Sequence, residues 1–232
     1  MWATIANVWG ICVYKGTGLL PSYFPFAEPT DSLENNFINY PINEPNEPLR
    51  LWFLMTMGYH LSKLLQQAFD IVFSTGERRN DFTEMILHHI LTMVLFTGSY
   101  LMNWWGCWGI IVLCTDWSNM NMYFSKVFGD LRFKWLRWII GWQMLPSWFY
   151  FRSYQYNRVL YDGWYVASVG HVKGATEMYL LDILCYFFSM LAVMNTYWML
   201  LIFKVSWREI FKGGAVDIHS NFKSQEQGDK KK

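Results

Sequence analysis

A chain of 232 residues with 53 % hydrophobic, 20 % aromatic and only 16 % charged side chains falls short of the roughly one quarter charged residues that wet an ordinary soluble domain. A soluble globular domain is therefore excluded in favour of one membrane domain, and a net charge of +1 gives no electrostatic basis for binding nucleic acid. Cys12, Cys107, Cys114 and Cys185 lack metal-type spacing and mostly occupy apolar surroundings, so they read as small hydrophobes rather than a disulfide framework.

Residues 1–50 are short apolar pieces broken by Gly and Pro, ending in the acidic, Pro- and Asn-rich run 28–48. They are expected to form an N-terminal extramembrane or loop segment. The N-terminus carries no charged leader pattern, so internal hydrophobic segments are expected to direct insertion. Apolar segments at 51–75, 83–103 and 106–126 are long enough to cross a hydrocarbon core. A shorter Trp-rich segment follows at 136–151, and 152–177 reads as a loop or re-entrant piece because it carries Arg152, Arg158, Asp162, His171 and Lys173. The last span is 178–203, and 205–232 is a polar, basic tail. The expected fold is all-α: a polytopic membrane bundle of about five or six helices over 51–204. Basic residues concentrate on the side that holds the tail, which places it on the cytoplasmic or matrix face.

Polar residues inside those spans carry whatever chemistry the chain has, because ionisable groups at such depth are costly. Positions three or four apart share a helix face. His60, Lys63 and Gln67 form such a row, with Asp70 one turn beyond; Glu84, His88 and Thr92 form a second, with His89 adjacent. Asp116, Asn119, Tyr123 and Lys126 form a third. Three polar stripes predict a shared interior, with His88 and Asp116 facing it together. The alternative is that these groups only bond one another as glue between helices. A metal is not expected, since neighbouring histidines on a helix point about 100° apart.

The block Asp81, Phe82, Met85, His88, His89, Thr92, Leu95, Ser99, Tyr100, Asn103 and Gly109 closely resembles the signature of the TLC-domain family, whose best-known enzymes are ceramide synthases. The segment TDWSNMNMYFSK (115–126) stands where those enzymes carry HDxSD…K, and looser similarity continues through WFYFR (148–152) and NTYWMLLIFK (195–204). The resemblance implies a ring of helices around a long cavity. It also implies transfer of an acyl group from acyl-CoA to the amine of a sphingoid base. His88 and His89 would then be base or transient acyl acceptor, with Asp116 orienting an imidazole. Lys63, Asp70, Thr92, Asn119 and Tyr123 would line the lipid cavity, and no cofactor is implied beyond acyl-CoA as substrate.

Two positions depart from that pattern. Thr115 replaces a His, and Asn119 replaces the second Asp. An amide keeps the hydrogen-bonding shape of a carboxylate but not the charge that would support an imidazolium. The leading expectation is therefore a lipid-binding, structural protein with lost or weakened acyl transfer. It would serve as an accessory subunit of a larger membrane complex, a respiratory-chain assembly among the candidates. An active N-acyltransferase is the alternative, with CoA phosphates met by Arg78 and Arg79 or by Lys126, Arg132 and Lys134. A transporter ranks third, for want of an inverted repeat. The endoplasmic reticulum is the location the resemblance implies, and the mitochondrial inner membrane is the alternative.

Overall fold

The computed structural model of the protein describes residues 2–38, 40, 45–73, 81–129, 134–171 and 174–212. Among them the regular structure is helical throughout, with no strand. The helices are α1 (Trp2–Tyr14), α2 (Glu47–Phe73), α3 (Phe82–Leu101), α4 (Trp105–Gly129), α5 (Lys134–Trp148), α6 (Tyr156–Val166) and α7 (Ala175–Lys212). A 3-10 turn occupies Leu33–Phe37, and π-helical turns occupy Phe149–Gln155 and Ala167–His171.

Local chemistry sets the helix ends. Asn46 Oδ1 accepts from Leu49 N at 3.0 Å at the start of α2, and Pro48 sits in the first turn, where its missing N–H costs nothing. At the α3–α4 corner Asn103 adopts φ 54°, and Trp104 N donates to Ser99 O at 2.8 Å while Asn103 N donates to Tyr100 O at 3.2 Å. This is the paired-bond cap that a left-handed residue permits. It turns the chain within three residues and sets α4 beside α3.

The first half of α4 is apolar on every side, and Cys107, Trp108, Ile110, Ile111, Val112, Leu113 and Cys114 are all buried. A helix of that kind must be enclosed, and α1, α3, α5 and α6 pack around it. Aromatic edges carry the core across the bundle: Phe53 to Phe96 at 5.1 Å, Phe96 to Trp108 at 5.1 Å and Trp108 to Phe188 at 4.9 Å.

The first fifty residues differ from the expected loop segment, because α1 is helical and part of the core. Trp52 Nε1 donates to Ala6 O and Tyr14 Oη donates to Gly106 O, each at 2.8 Å. A Cβ at Gly10 would lie 2.5 Å from Leu113 Cδ2, so a bare backbone is what lets α1 approach.

Residues 152–177 also differ from the expected loop. The chain stays helical from Lys134 to His171 through α5, α6 and the two π turns, so the short span expected at 136–151 is only the start of a longer rod. Of the charges that suggested a wetted loop, Arg152 is buried and bonded inside the bundle, as described below, while Arg158 and Asp162 pair with each other at 3.7 Å on a partly exposed face. At the chain's end α7 continues past the expected boundary at 204 to Lys212. Residues 213–232 of the tail, and Arg78, Arg79 and Arg132, lie outside the described residues.

Within α7, Thr176–Lys204 is long and apolar enough to cross a membrane. It leaves Tyr186, Val193 and Leu200 exposed, as α2 leaves Leu65, Phe69 and Val72. Soluble surfaces rarely show apolar area of this extent.

Candidate functional site

The centre of the polar interior is Arg152, which belongs to none of the three polar stripes. It sits in the π-helical turn Phe149–Gln155, four positions after Trp148, the last residue of α5. A π turn adds a residue to the helical circuit and re-aims the side chains that follow, which is why such turns recur at functional sites. Here it turns Arg152 into the bundle, where only 2 % of its surface is exposed.

The guanidinium is clamped on three sides. Nε donates to Ser118 Oγ at 2.8 Å, Nη1 to Asn195 Oδ1 at 3.0 Å, and Nη2 to Asn119 Oδ1 at 2.6 Å and Thr115 O at 3.2 Å. Its plane lies over Trp148 at 4.2 Å and faces Trp198 at 6.0 Å. A planar fork of fixed donors against aromatic faces is the setting in which a buried guanidinium is tolerated.

Asn119 is the hinge of this network. Its Oδ1 accepts from Arg152 while its Nδ2 donates to Asp116 Oδ1 at 3.2 Å. Asp116 is itself buried. The amide therefore connects one buried cation to one buried anion, and the charges are balanced.

The two adjacent histidines serve different neighbours. His88 packs edge-on against Trp198 of α7 at 5.2 Å, so a chain of contacts runs from His88 through Trp198, Arg152 and Asn119 to Asp116. His89 turns toward α2, where the His60 ring lies 6.3 Å away. Nδ1 of each of these three imidazoles is buried without a hydrogen-bond partner, as is Thr92 Oγ1. The rings of His88 and His89 are 5.3 Å apart, but their outward directions diverge as the helical period requires.

The remaining residues expected at the cavity divide. Asn119 and Thr92 face the interior, Thr92 being buried. Tyr123 is exposed on one side, with its hydroxyl joined to Tyr59. Lys63 is half-buried, donating to Gln66 Oε1 at 3.4 Å and lying over the Tyr59 ring at 5.7 Å. Asp70 is exposed near the end of α2, away from these groups. Among the described residues no cluster suits a metal ion. A cavity of about 380 Å³ opens instead at the far end of the bundle, where Thr17, Asn36, Asn46, Asn103 and Trp105 meet.

Ser118, Arg152, Asn195 and Trp198 complete the centre without having been candidates. The signals for three of them were present in the looser family matches, WFYFR for Arg152 and NTYW for Asn195 and Trp198. His60 had a place in a polar row but no assigned role.

A helical membrane bundle with a histidine pair beside an Arg–Asn–Asp network defines the class. A family model of the TLC domain matches residues 1–204, and the chain belongs to the TLC-domain family. Ceramide synthase 4 of Bos taurus is 27 % identical over 196 residues, which cover 82 % of this chain and 47 % of that protein. Ceramide synthase LAG1 of Saccharomyces cerevisiae is 27 % identical over 174 residues, 71 % of this chain and 41 % of that one. The sphingosine N-acyltransferase lac1 of Schizosaccharomyces pombe is 23 % identical over 242 residues, 100 % of this chain and 58 % of that one. The chain thus spans about half the length of the curated relatives it matches.

Proposed function

We propose that this ceramide-synthase-like membrane protein binds an acyl lipid at the His88–Arg152–Asp116 centre, with acyl transfer lost or weakened. In this reading it is a structural, accessory subunit of a larger membrane assembly. The observation that carries the reading is the amide at 119. With Asn119 between them, Asp116 and Arg152 offset each other one to one. Asp116 is thus committed to Arg152 and is not free to hold an imidazolium at His88 while an amine is deprotonated. Thr115, where a further titrating group would stand, donates instead to Val112 O of its own helix at 2.9 Å. The many aromatic side chains on outward faces, Tyr161, Tyr165, Tyr179 and Trp207 among them, suit contacts with protein neighbours as well as lipid. The family's default location, the endoplasmic reticulum, is adopted; no observation favours the mitochondrial inner membrane.

A second reading, an active sphingosine N-acyltransferase, draws on the free Nδ1 of His88, which is available to a reacting group. The discriminating experiment incubates the purified full chain in nanodiscs with palmitoyl-CoA and sphinganine and quantifies ceramide. The proposal expects at most trace product from the natural sequence. Turnover that disappears in His88→Ala would establish the second reading instead.

A further inference from the structure

We propose that the segment 20–27 is a strap that holds the π turn Phe149–Gln155 in register, which makes Tyr23 and Phe26 positioning residues for Arg152. The inference concerns where the guanidinium points, and it stands whatever the centre binds. The chain leaves α1 and returns at the same end of the bundle. Tyr14 Oη donates to Gly106 O, and a Cβ on Gly106 would run into Asn36 Oδ1. Between those two points the chain dips along the bundle. The Phe26 ring lies 6.1 Å from Trp117, which is eleven residues further along α4 than Gly106, about 16 Å at the helical rise. Leu20 and Phe24 anchor the strap in the core. Turns close its tip, where Phe24 N donates to Pro21 O at 2.8 Å and Ala27 N donates to Phe24 O at 3.1 Å.

The strap meets the π turn on both flanks of Arg152. On the first flank Phe26 packs on Trp117, and Trp117 meets Phe151 at 5.4 Å. Phe151 immediately precedes Arg152, and Trp117 stands between Asp116 and Ser118. On the second flank Tyr23 O accepts from Gln155 Nε2 at 3.4 Å, and the Tyr23 ring lies 3.6 Å beneath the Arg158 guanidinium. The π form is rare among helices, so something must favour it here. The bonds of Arg152 favour it from inside, and the strap does so from outside. Relaxation to an α turn would rotate one flank against the other by about 100°. Arg152 would then turn away from Ser118, Asn119 and Asn195. Phe26 also adopts φ 74°, a region that bulky side chains seldom enter. Burial does not account for it, because Phe26 is 54 % exposed. Such a conformation persists where the surroundings impose it, and the contact with Trp117 is what it serves.

The test reads Arg152 directly. The full chain in nanodiscs is treated with phenylglyoxal, which modifies accessible guanidinium groups. Peptide mass spectrometry follows Arg152, with the exposed Arg50 as positive control, and hydrogen exchange is recorded on the same samples. The natural sequence should leave Arg152 unmodified. Tyr23→Ala and Phe26→Gly should each make it reactive and speed exchange at 149–155 about three- to tenfold, the effect of losing one aromatic or cation–π contact. Exchange in α2 and α3 should not change. Glycine accepts a positive φ without cost, so Phe26→Gly removes the ring without straining the backbone. Tyr23→Phe keeps a ring beneath Arg158 and should keep Arg152 protected. Unmodified Arg152 with unchanged exchange at 149–155, in either Tyr23→Ala or Phe26→Gly, would overturn the proposal. Protection lost equally throughout α2 and α3 would overturn it too, since the strap would then support the whole bundle rather than the π turn.

Discussion

Arg152 Nη2 and Asn119 Oδ1 are 2.6 Å apart, and the same Asn119 amide donates to Asp116 Oδ1 at 3.2 Å. A guanidinium from a π turn and a carboxylate from α4 are thus joined through one neutral side chain. This relay ties α4 and α7 to the π turn that follows α5, since Asn195 of α7 accepts from the same guanidinium.

Arg152→Met leaves Asp116 buried without its countercharge and strands the amide oxygens of Asn119 and Asn195. The expected cost is about 3–5 kcal/mol, the range for breaking a buried ionic network from one side. Arg152→Lys should recover only part of it, because an ammonium cannot reproduce the fork. Thermal unfolding of the two variants in matched detergent measures both.

Asn119→Asp keeps an acceptor for Arg152 but loses the donor to Asp116 and sets two carboxylates side by side. Destabilisation of about 1–3 kcal/mol is expected at neutral pH, the cost of a buried group losing its partner. It should shrink as the medium is acidified and one carboxyl takes a proton, which restores a donor. Paired with Thr115→His, the same change returns the charge and titrating group that acyl transfer is expected to need. The double variant should form more ceramide than the natural sequence in the assay described above.

Trp198 is the plane shared by His88 and Arg152, at 5.2 and 6.0 Å. Trp198→Ala should cost about 3–5 kcal/mol as a large-to-small change and should release lipid retained at the centre. Trp198→Phe preserves a ring for both neighbours and should retain lipid. Stability and bound lipid measured on the same samples separate loss of packing from loss of the site.

Trp52→Phe tests whether α1 belongs to the folded domain. It removes the 2.8 Å bond to Ala6 O and trims a fully buried side chain. A loss of about 1–3 kcal/mol is expected from the lost hydrogen bond together with the trimmed core contact. If α1 were not docked in the bundle, hydrogen exchange at residues 2–14 would be fast in the natural sequence and unchanged in the variant.

The inward placement of His89 and Asp116 was legible in the sequence because an ionisable group inside an apolar run has no cheap explanation. The direction in which each histidine turns needed the partner helices: only the placement of α7 beside His88 and α2 beside His89 separates them. Arg152 was hidden for the opposite reason. It stands in a stretch with Arg158, Asp162 and His171, and charge at that density reads as wetted loop. Its acceptors Ser118 and Asn195 are neutral and unremarkable along the chain, and a π turn has no residue signature. The helix α1 was missed because thirteen residues do not span a bilayer, and its worth lies in contacts at Gly10 and Tyr14 that periodicity does not reveal. The long run of α7 was plain from hydropathy alone.

The most direct measurement is gentle purification of the full chain from its native membrane, followed by mass spectrometry of every lipid and protein that remains bound. The expected result is retained acyl lipid, protein partners in fixed stoichiometry, and no ceramide made when palmitoyl-CoA and sphinganine are added. A solitary chain without bound lipid that turns those substrates into ceramide would contradict the structural, lipid-binding reading of the His88–Arg152–Asp116 centre.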